Sequence, residues 1–234
     1  MIKSRFQKGL GVFVGSCAVL ALASSAQAFT VTYSSALPLM ETDFTVDVFL
    51  PKFNPSFYPG IATLNSITFQ VDGKIIVVTQ LENKGARKAT LTSVADATLT
   101  LQRPDTSPLV VNIPSVTQSA LLQRYDHVVD YAGTSGITFD PVTQTASDSM
   151  TYSDAGDLAL FTGTGSINLF MDAAASATVT GSGNYSSQVT TQAGAKVYVT
   201  YDISDSSVPE PGTYAFLAAG VLGSMGVVIR RRKK

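Results

Sequence analysis

The sequence contains almost none of the residues that catalytic and metal sites most often use. Its 234 residues include one cysteine, one histidine and no tryptophan. The cysteine, Cys17, lies in an N-terminal apolar stretch, so the rest of the chain can form neither a disulfide nor a sulfur-ligated zinc site. The single histidine, His127, excludes multi-histidine metal centres and leaves one partner for a serine nucleophile. No Gly-x-Ser-x-Gly segment is present.

Cations are scarce in the middle of the chain. The formal net charge is −1, but half of the 16 Lys and Arg residues lie in the two terminal segments. Between residues 29 and 204, acidic residues outnumber basic ones about two to one. An acidic domain without a basic stripe is atypical of proteins that bind nucleic acid or anionic membranes, so the sequence predicts no nucleic-acid partner.

The N-terminus is typical of a secretory signal peptide. Three cations precede an apolar stretch over residues 10–23, and Ala26 and Ala28 occupy the small-residue positions that signal peptidase requires. We therefore predict a signal peptide over residues 1–28, removed by signal peptidase, and a mature chain that begins at Phe29.

A lipoprotein signal is the alternative at this end of the chain. Residues 14–17 loosely match a lipoprotein processing site that ends at Cys17. The apolar segment ahead of this cysteine would be very short, however, and the apolar stretch continues beyond it. The Ala-x-Ala site formed by Ala26 and Ala28 fits the pattern better.

The C-terminal segment, residues 205–234, combines three features in order. A proline-flanked acidic residue comes first, an apolar run over residues 215–229 follows, and five cations end the chain. The residues of the first and last features are Pro209, Glu210 and Pro211, and Arg230, Arg231, Arg232, Lys233 and Lys234. A helix of 15 residues is about 22 Å long, which is short for a hydrocarbon core of roughly 30 Å. The basic end predicts a cytoplasmic C-terminus, with everything upstream outside the inner membrane.

This order of features resembles the PEP-CTERM sorting signal of Gram-negative bacteria that produce exopolysaccharide, with residues 209–211 as the tripeptide. The resemblance covers about 27 residues. It implies an exported, inner-membrane-anchored precursor that exosortase, a membrane protease-transferase, processes near the tripeptide. The mature protein would then be delivered to the cell surface or the extracellular matrix. A plain C-terminal membrane anchor is the alternative for the same residues.

The residues between the two ends, 29–204, alternate apolar and polar with a period of two, which is typical of β-strands. Clear examples are residues 29–33, 44–50 and 197–203. Neither a long helical pattern nor a fixed-period repeat is visible. We predict an all-β fold, an antiparallel two-sheet β-sandwich, with a β-helix as the alternative.

Several local features are predicted within this domain. The dipeptide Asp72-Gly73 separates two apolar runs and favours a type I′ turn, so it predicts a β-hairpin. Residues 82–88 hold several cations and are predicted to form a solvated loop. A single helical turn is expected over residues 157–161. Residues 120–122 fit a short helix or a strand, and residues 172–195, rich in small side chains, are predicted to form closely packed strands.

Four short blocks of this domain resemble the choice-of-anchor E domain of bacterial surface proteins: residues 50–55, 97–101, 132–136 and 157–165. The resemblance spans most of residues 33–203. It implies a surface location and attachment by a C-terminal signal. It supplies no catalytic residue, because no activity is assigned to that family.

Candidate chemistry is sparse. His127 is interpreted as an exposed residue beside Asp126 rather than as a catalytic base. The acids Asp148, Asp154 and Asp157 could donate oxygens to calcium, but solubility explains scattered aspartates equally well. We predict no metal site and no cofactor. A glycosidase carboxylate pair is a further hypothesis, with the candidates Glu41, Asp43, Asp47 and Glu82, although any acidic domain offers such pairs.

Aromatic residues offer two candidate interaction sites. One is a loop that contains Phe53, Phe57 and Tyr58. We predict this loop as the interaction site, because aromatic residues on loops are less often needed for core packing. The other is a set of tyrosines that could stack on sugars, although tyrosines in a sandwich more often pack in the core or across strands. This set consists of Tyr125, Tyr131, Tyr152, Tyr185, Tyr198 and Tyr201.

The sequence thus predicts a secreted, non-enzymatic surface or matrix protein with a structural or adhesive role. Its expected partners are signal peptidase, exosortase, the inner membrane during sorting, and exopolysaccharide. The rival interpretation is a polysaccharide-binding or polysaccharide-active enzyme of the same matrix. A carboxylate pair in a groove would favour the rival, and a threonine-covered surface would favour the first interpretation.

Residues 29–204, expressed alone, should be soluble and rich in β-structure. Their melting temperature should not change when a reductant is added, because the segment contains no thiol. Circular dichroism measures both properties, and a spectrum dominated by helix would contradict the predicted sandwich. A melting temperature that falls with EDTA and recovers with calcium would show that the aspartates bind a metal.

Overall fold

A computed structural model describes residues 27–58 and 62–205, which form two antiparallel β-sheets of five strands each. The strands in chain order are β1 (Gln27–Glu41), β2 (Phe44–Pro51), β3 (Ala62–Asn83), β4 (Ala89–Gln102), β5 (Pro108–Asn112), β6 (Ser115–Leu122), β7 (Gly136–Thr138), β8 (Val142–Tyr152), β9 (Ser166–Gly181) and β10 (Tyr185–Asp205). A six-residue helix, α1 (Ala155–Leu160), and a 3-10 turn, Pro55–Phe57, are the described helical elements. The predicted all-β fold with two antiparallel sheets is confirmed.

Residues 1–26 of the predicted signal peptide and the predicted helix over residues 215–229 fall outside the part of the chain that the structure describes. Within that part, no helix has both the length and the apolar character needed to cross a membrane. Strand β1 begins at Gln27, so the predicted cleavage bond between Ala28 and Phe29 lies inside the strand, where Ala28 pairs with Ser204.

The two sheets share one plan. In the first sheet the strand order is β1-β10-β3, and β7 and β8 follow one another along the other edge of β3. In the second sheet the order is β2-β9-β4, and β5 and β6 follow one another along the other edge of β4. Each sheet therefore has a fourth column that is made of two short strands.

Proline explains why this fourth column is interrupted in both sheets. Pro114 separates β5 from β6, and Pro141 directly precedes β8. Proline has no N–H to donate to a β-ladder, so it ends a paired segment. The register along β4 continues unchanged across the gap, which shows that β5 and β6 act as one broken strand.

The two sheets pack face to face on a main hydrophobic core, and a smaller second cluster contains Leu81, Ala89, Leu91 and Leu122, so the fold is sandwich-like. Alternate residues of β3, among them Ile67, Phe69 and Val71, are fully buried and belong to the same core cluster as Ala97 and Leu99 of β4. Period-two burial of this kind is what the alternation in the sequence predicts. The β-helix alternative is wrong, because every described sheet pairing is antiparallel.

The predicted hairpin at Asp72-Gly73 is wrong. Strand β3 runs through both residues without a turn, and both pair with β10. Gly73 faces the second sheet, where a β-carbon would overlap the side chain of Asn112 and lie 2.6 Å from Leu99 Cδ1. The glycine is therefore needed for the close approach of two sheets, a contact that local turn chemistry cannot reveal.

The remaining local predictions have mixed outcomes. Residues 120–122 form the end of strand β6, and α1 confirms the predicted helical turn. Residues 172–195 are confirmed as strands, in β9 and β10 with a short turn between them. The predicted solvated loop is shorter than expected, because Glu82 and Asn83 are fully buried at the end of β3.

The outward face of the first sheet carries cross-strand pairs of threonine side chains. The hydroxyl oxygens of Thr32 and Thr200 are 2.9 Å apart, and those of Thr68 and Thr151 are 2.8 Å apart. Such pairs link neighbouring strands while keeping the outer surface polar.

Both ends of the described domain lie at the same end of the first sheet. Gln27 pairs with Asp205, so β1 starts where β10 finishes. The 21 residues of β10 cover about 65 Å of strand at roughly 3.3 Å per residue. Its first residue, Tyr185, pairs with Asn83, which ends β3. The loop after β3 is therefore one long strand away from the point where the chain continues into its C-terminal segment.

Replacing Gly73 with alanine should destabilise the sandwich by about 1–3 kcal/mol, because the added methyl group overpacks the space between the sheets. Gly156 in α1 is the matched control, since nothing lies within 4 Å of the methyl group that alanine would add there. Gly156→Ala should leave the stability unchanged or raise it by up to about 1 kcal/mol. Denaturant unfolding measures both variants, and equal stabilities would contradict the close approach at Gly73.

Candidate functional site: a basic cleft

Two loops at one end of the sandwich frame a cleft of about 990 Å³. One is the β3–β4 loop, residues 84–88, and the other is the β6–β7 connection, residues 123–135. Two further depressions on the domain are smaller, at about 300 and 260 Å³. Ligand pockets typically measure roughly 300–1,000 Å³, so this cleft is large enough for an extended ligand. We call it the basic cleft, because four cationic and two aromatic side chains line it: Lys84, Arg87, Lys88, Arg124, Tyr125 and His127.

One buried amide joins the two walls of the basic cleft. Asn83 Nδ2 donates to the carbonyl oxygen of Arg87 at 2.8 Å and to that of Gln123 at 2.6 Å. Its Oδ1 accepts a hydrogen bond from the Gly85 N–H at 2.9 Å. The Asn83 backbone N–H also donates to the Ser135 carbonyl oxygen at 2.8 Å. Because the amide is fully buried, its hydrogen bonds fix both loops relative to β3.

A buried acid supports the second wall from below. Glu82 is fully buried, and its Oε2 accepts a hydrogen bond from the Tyr131 backbone N–H at 3.0 Å. A β-carbon on Gly136 would overlap the same carboxyl oxygen, so glycine is needed for the strand to pass so close. Ser135, also fully buried, accepts a hydrogen bond from the Asp126 N–H through its Oγ at 3.4 Å. Tertiary contacts therefore hold the backbone of the β6–β7 connection.

The basic cleft concentrates the few cations of an acidic domain. Half of the eight Lys and Arg residues between positions 29 and 204 line it, and the side chains of all four are exposed. Within residues 27–58 and 62–205, the one ion pair is formed elsewhere, by Arg103 and Asp157. Among the described residues, none of the four cleft cations thus has a carboxylate oxygen within 4.0 Å.

One carboxylate, that of Asp126, lies among these cations. Its Oδ1 accepts a hydrogen bond from the Val128 backbone N–H at 3.0 Å, and this bond is the main cause that lowers the pKa of Asp126. The carboxylate therefore stays charged at neutral pH and is held by its own loop. Four cations against one acid leave the cleft positively charged.

An aromatic pair forms part of the cleft wall. The rings of Tyr125 and His127 are tilted against one another with centroids 5.4 Å apart. Tyr125 is half-buried, and His127 is exposed beside Asp126, as predicted. The arrangement offers N–H donors that suit carboxylate, sulfate or phosphate oxygens, next to a ring surface that can contact an apolar face.

The predicted aromatic interaction loop stays a prediction, and one of its three rings is exposed. Phe53 is 3% exposed and belongs to the core, where it contacts Tyr201 with ring centroids 6.2 Å apart. Tyr58 is half-buried and stacks between Phe53 and Phe29, at 5.7 and 5.3 Å. Phe57 alone projects into solvent, with 76% of its surface exposed. Phe53 as an interaction residue is thus a wrong prediction, because its ring fills the end of the core.

Two of the three acids proposed for calcium, Asp157 and Asp148, have other partners. Asp157 accepts two hydrogen bonds from the Arg103 guanidinium, at 2.8 and 3.0 Å. Asp148 accepts a hydrogen bond from Asn112 Nδ2 at 2.8 Å. No group of three or more His, Cys, Asp or Glu side chains suited to a metal occurs in the described part of the chain.

The four carboxylates of the glycosidase hypothesis do not form one site. Glu82 pairs with Ser186 on β10, whereas Glu41 pairs with Gln192, six positions farther along the same strand and about 20 Å away. The remaining two bind neighbouring strands. Asp43 accepts the N–H of Ala175 at 2.7 Å, and Asp47 accepts Asn168 Nδ2 at 2.9 Å.

The tyrosines considered for sugar stacking are mostly packing residues. Tyr201 is 1% exposed and donates its hydroxyl to the Pro51 carbonyl oxygen at 2.8 Å, and burial raises its pKa above the usual value. The hydroxyls of Tyr152 and Tyr185 likewise donate to backbone carbonyl oxygens. Of this set, Tyr125 lies in the basic cleft.

Sequence reasoning found the cationic loop but missed the basic cleft. Arg124, Tyr125 and His127 complete it from about 40 positions later in the chain, and no local pattern links these residues to the β3–β4 loop. The asparagine that joins the walls also looks like an ordinary loop residue in the sequence.

The predicted processing residues are placed as follows. Ala28 is exposed in β1. Ala26 and all residues of the C-terminal tail, from the tripeptide at 209–211 to Lys234, fall outside the described ranges.

Comparison with known proteins gives one family match. Residues 207–233 match the PEP-CTERM protein-sorting motif. The predicted sorting motif is therefore confirmed, while the resemblance to the choice-of-anchor E domain stays a prediction. No curated protein matches the chain.

Solved structures give only weak similarities. A structure of infectious bursal disease virus, Gx strain, matches at 10% identity and a TM-score of 0.20, over 89% of this chain and 48% of that chain. The VP2 subviral particle of the same virus matches at 12% identity and a TM-score of 0.18, over 89% and 49%. The chain spans about half the length of these virus proteins, and a similarity at this level carries no functional conclusion.

Replacing Asn83 with alanine should destabilise the domain by about 2–4 kcal/mol, because two carbonyl oxygens and one N–H lose a buried partner. Hydrogen exchange should then speed up in both cleft loops. Asn65→Ala is the control, since Asn65 is exposed and accepts one surface hydrogen bond from Ser204. This change should stay within about 0.5 kcal/mol of the parent. Unchanged exchange in Asn83→Ala would show that another contact holds the loops together.

Proposed function

We propose that this protein is exported and sorted by exosortase to the cell surface or extracellular matrix of an exopolysaccharide-producing bacterium. In this proposal it acts there without catalysis, as a structural or adhesive module. The observation that carries the proposal is the PEP-CTERM sorting motif at residues 207–233, which implies export and surface sorting. Signal peptidase would remove the N-terminal segment first, and the precursor would be held in the inner membrane by its tail until exosortase acts.

The state of the acidic residues supports a non-catalytic role. A glycosidase needs two carboxylates facing one sugar, at roughly 5–10 Å from one another. Here three of the candidate acids, Asp47, Asp157 and Glu82, already accept hydrogen bonds or an ion pair from other parts of the domain. Acids bound in this way stabilise the sandwich, and they would need to exchange partners before acting on a substrate.

The surface also supports an extracellular structural role. Two threonine pairs lie on the outward face of the first sheet, and Thr92 and Ser119 form a similar pair on the second sheet at 2.9 Å. Polar side chains without charge keep a long-lived external protein soluble while leaving its strands firmly paired. The domain contains no thiol, so this stability does not depend on the redox state outside the cell.

The position of the basic cleft fits a module that presents a binding surface. The cleft lies at the Tyr185 end of β10, and the chain continues toward its sorting motif from the Asp205 end. A protein that is attached through its C-terminal segment would keep the loops of the cleft one strand length from the attachment point. Because the cleft would lie away from the attachment point, we propose exopolysaccharide as its partner.

Replacing residues 209–211 by Ala-Gly-Ala should block processing and leave the tail attached, because a processing enzyme recognises a short extended segment and the two prolines favour that form. The parent should lose about 25 residues and leave the membrane fraction. Intact mass after cell fractionation measures both outcomes.

The control for this experiment is Ser206→Ala/Ser207→Ala, which changes the neighbouring positions without touching the tripeptide. This double variant should be processed like the parent. If both the parent and the tripeptide variant keep Lys234, the tail is a plain anchor and exosortase sorting is wrong.

A further inference from the structure

We infer that the basic cleft is a binding site for an acidic polysaccharide, a sugar chain that carries carboxylate groups. This inference rests on the proposed surface function and names the ligand class that the surface would recognise. The charge, the rigidity and the aromatic lining of the cleft support it. Its key residues are Lys84, Arg87, Lys88 and Arg124, together with Tyr125.

The positive charge of the cleft favours an anionic ligand. Lys84, Arg87 and Lys88 lie within five consecutive positions, and Arg124 joins them from the opposite loop. Like charges this close repel one another, and within the described residues no carboxylate pairs with any of them. Elsewhere the domain uses a cation in a different way: Arg103 is paired with Asp157 and lies over the Tyr152 ring at 4.7 Å. Since the cleft cations have no carboxylate partner in the part of the chain that the structure describes, they can pair with groups outside the protein.

The backbone that carries these cations is preorganised. Asn83 fixes the positions of Gly85, Arg87 and Gln123, and the Tyr125 N–H donates to the Gly85 carbonyl oxygen at 3.0 Å across the cleft. A binding surface that is already ordered loses less conformational entropy when a ligand arrives. The side chains remain exposed, so they can adjust to the spacing of carboxylates along a sugar chain.

The aromatic pair favours a sugar over a simple anion. A pyranose ring has an apolar face of C–H groups, and this face packs on the flat side of aromatic rings. Tyr125 and His127 provide such a surface beside the cations, with centroids 5.4 Å apart. A volume of about 990 Å³ gives room for several linked sugars rather than for one small ion.

The charge of the whole domain disfavours a nucleic acid in this cleft. Duplex DNA carries one charge per roughly 1.7 Å, and its binding proteins spread cations over a wide surface of about 1,000–2,500 Å². Beyond its four cleft cations this domain is acidic, so a long duplex would be repelled by the surrounding surface. A uronic-acid chain carries only one carboxylate per sugar, which a cleft of four cations can match.

The test compares two lysine pairs in the full chain, purified in detergent. In all proteins the five C-terminal cations are replaced by glutamine, so that the tail does not bind polyanions. The cleft variant is Lys84→Gln/Lys88→Gln, and the matched control is Lys52→Gln/Lys74→Gln, which removes the same charge outside the cleft. The probes are polygalacturonate, neutral dextran and duplex DNA.

The parent should bind polygalacturonate in low salt and lose this binding in high salt, because exposed charges are screened within about 3 Å at 1 M salt. The cleft variant should bind at least about fivefold more weakly than the parent, and the control should change less than about twofold. Arg87→Gln/Arg124→Gln, with one change in each loop, should lower the affinity by a similar factor. Circular dichroism should show the parent fold in every variant, because the replaced side chains within the described part of the chain are exposed, except that of Lys52.

Several results would overturn the inference. Equal losses in the cleft variant and the control would mean that only net charge matters. Binding to dextran as strong as that to polygalacturonate would exclude carboxylate recognition, and stronger binding to duplex DNA would make the cleft a nucleic-acid site. Self-association that is lost in the cleft variant, without polygalacturonate binding, would make the cleft a contact between copies of this chain. Sorting is measured separately by mass in cells, so either proposal can fail while the other holds.

Discussion

The pairing of β10 with β3 is the interaction on which the rest of the structure depends. Every residue of β10 has a partner on β3, and β3 in turn supports β7 and β8 on its other edge. This ladder carries the inward row of residues that forms half of the core, including Phe69 and Tyr201. The length of the ladder also sets the distance between the basic cleft, at the Tyr185 end, and the Asp205 end, from which the chain continues toward its sorting motif. A break such as a turn at Gly73 would divide the core in two.

The basic cleft is a consequence of how this ladder ends. Where β3 stops, Glu82 and Asn83 stay buried and provide hydrogen-bonding groups that no strand partner uses. The two loops bind the Asn83 amide and Glu82 Oε2, so a pair of polar residues in a buried position organises a surface site. Buried polar groups need partners, and here the partners are the backbones of the segments that carry the cations. The charge of the site is thus presented on a rigid support.

The sequence predicted the strands correctly. It did not predict the contacts that individual residues make with distant strands. Alternation along residues 197–203 correctly predicted which side chains face the core, because the period of a strand is a local property. Phe53 and Gly73 were interpreted from their neighbours in sequence, as a loop aromatic and a turn glycine. Both are instead decided by contacts with distant strands, since Phe53 packs on Tyr201 and Gly73 lies against Leu99. The basic cleft was missed for the same reason, because Arg124 comes from a separate loop.

By itself the sequence determined the all-β class, the antiparallel sheets and the sorting motif at residues 207–233. These properties depend on short-range patterns, namely a period of two and a run of residues that an enzyme recognises in extended form. Only the tertiary structure decided which cations gather in one cleft, which acids serve as structural partners and why β3 continues through Asp72-Gly73. The physical reason is that these outcomes depend on packing between residues far apart in the chain. Such packing produces no periodic pattern in the sequence.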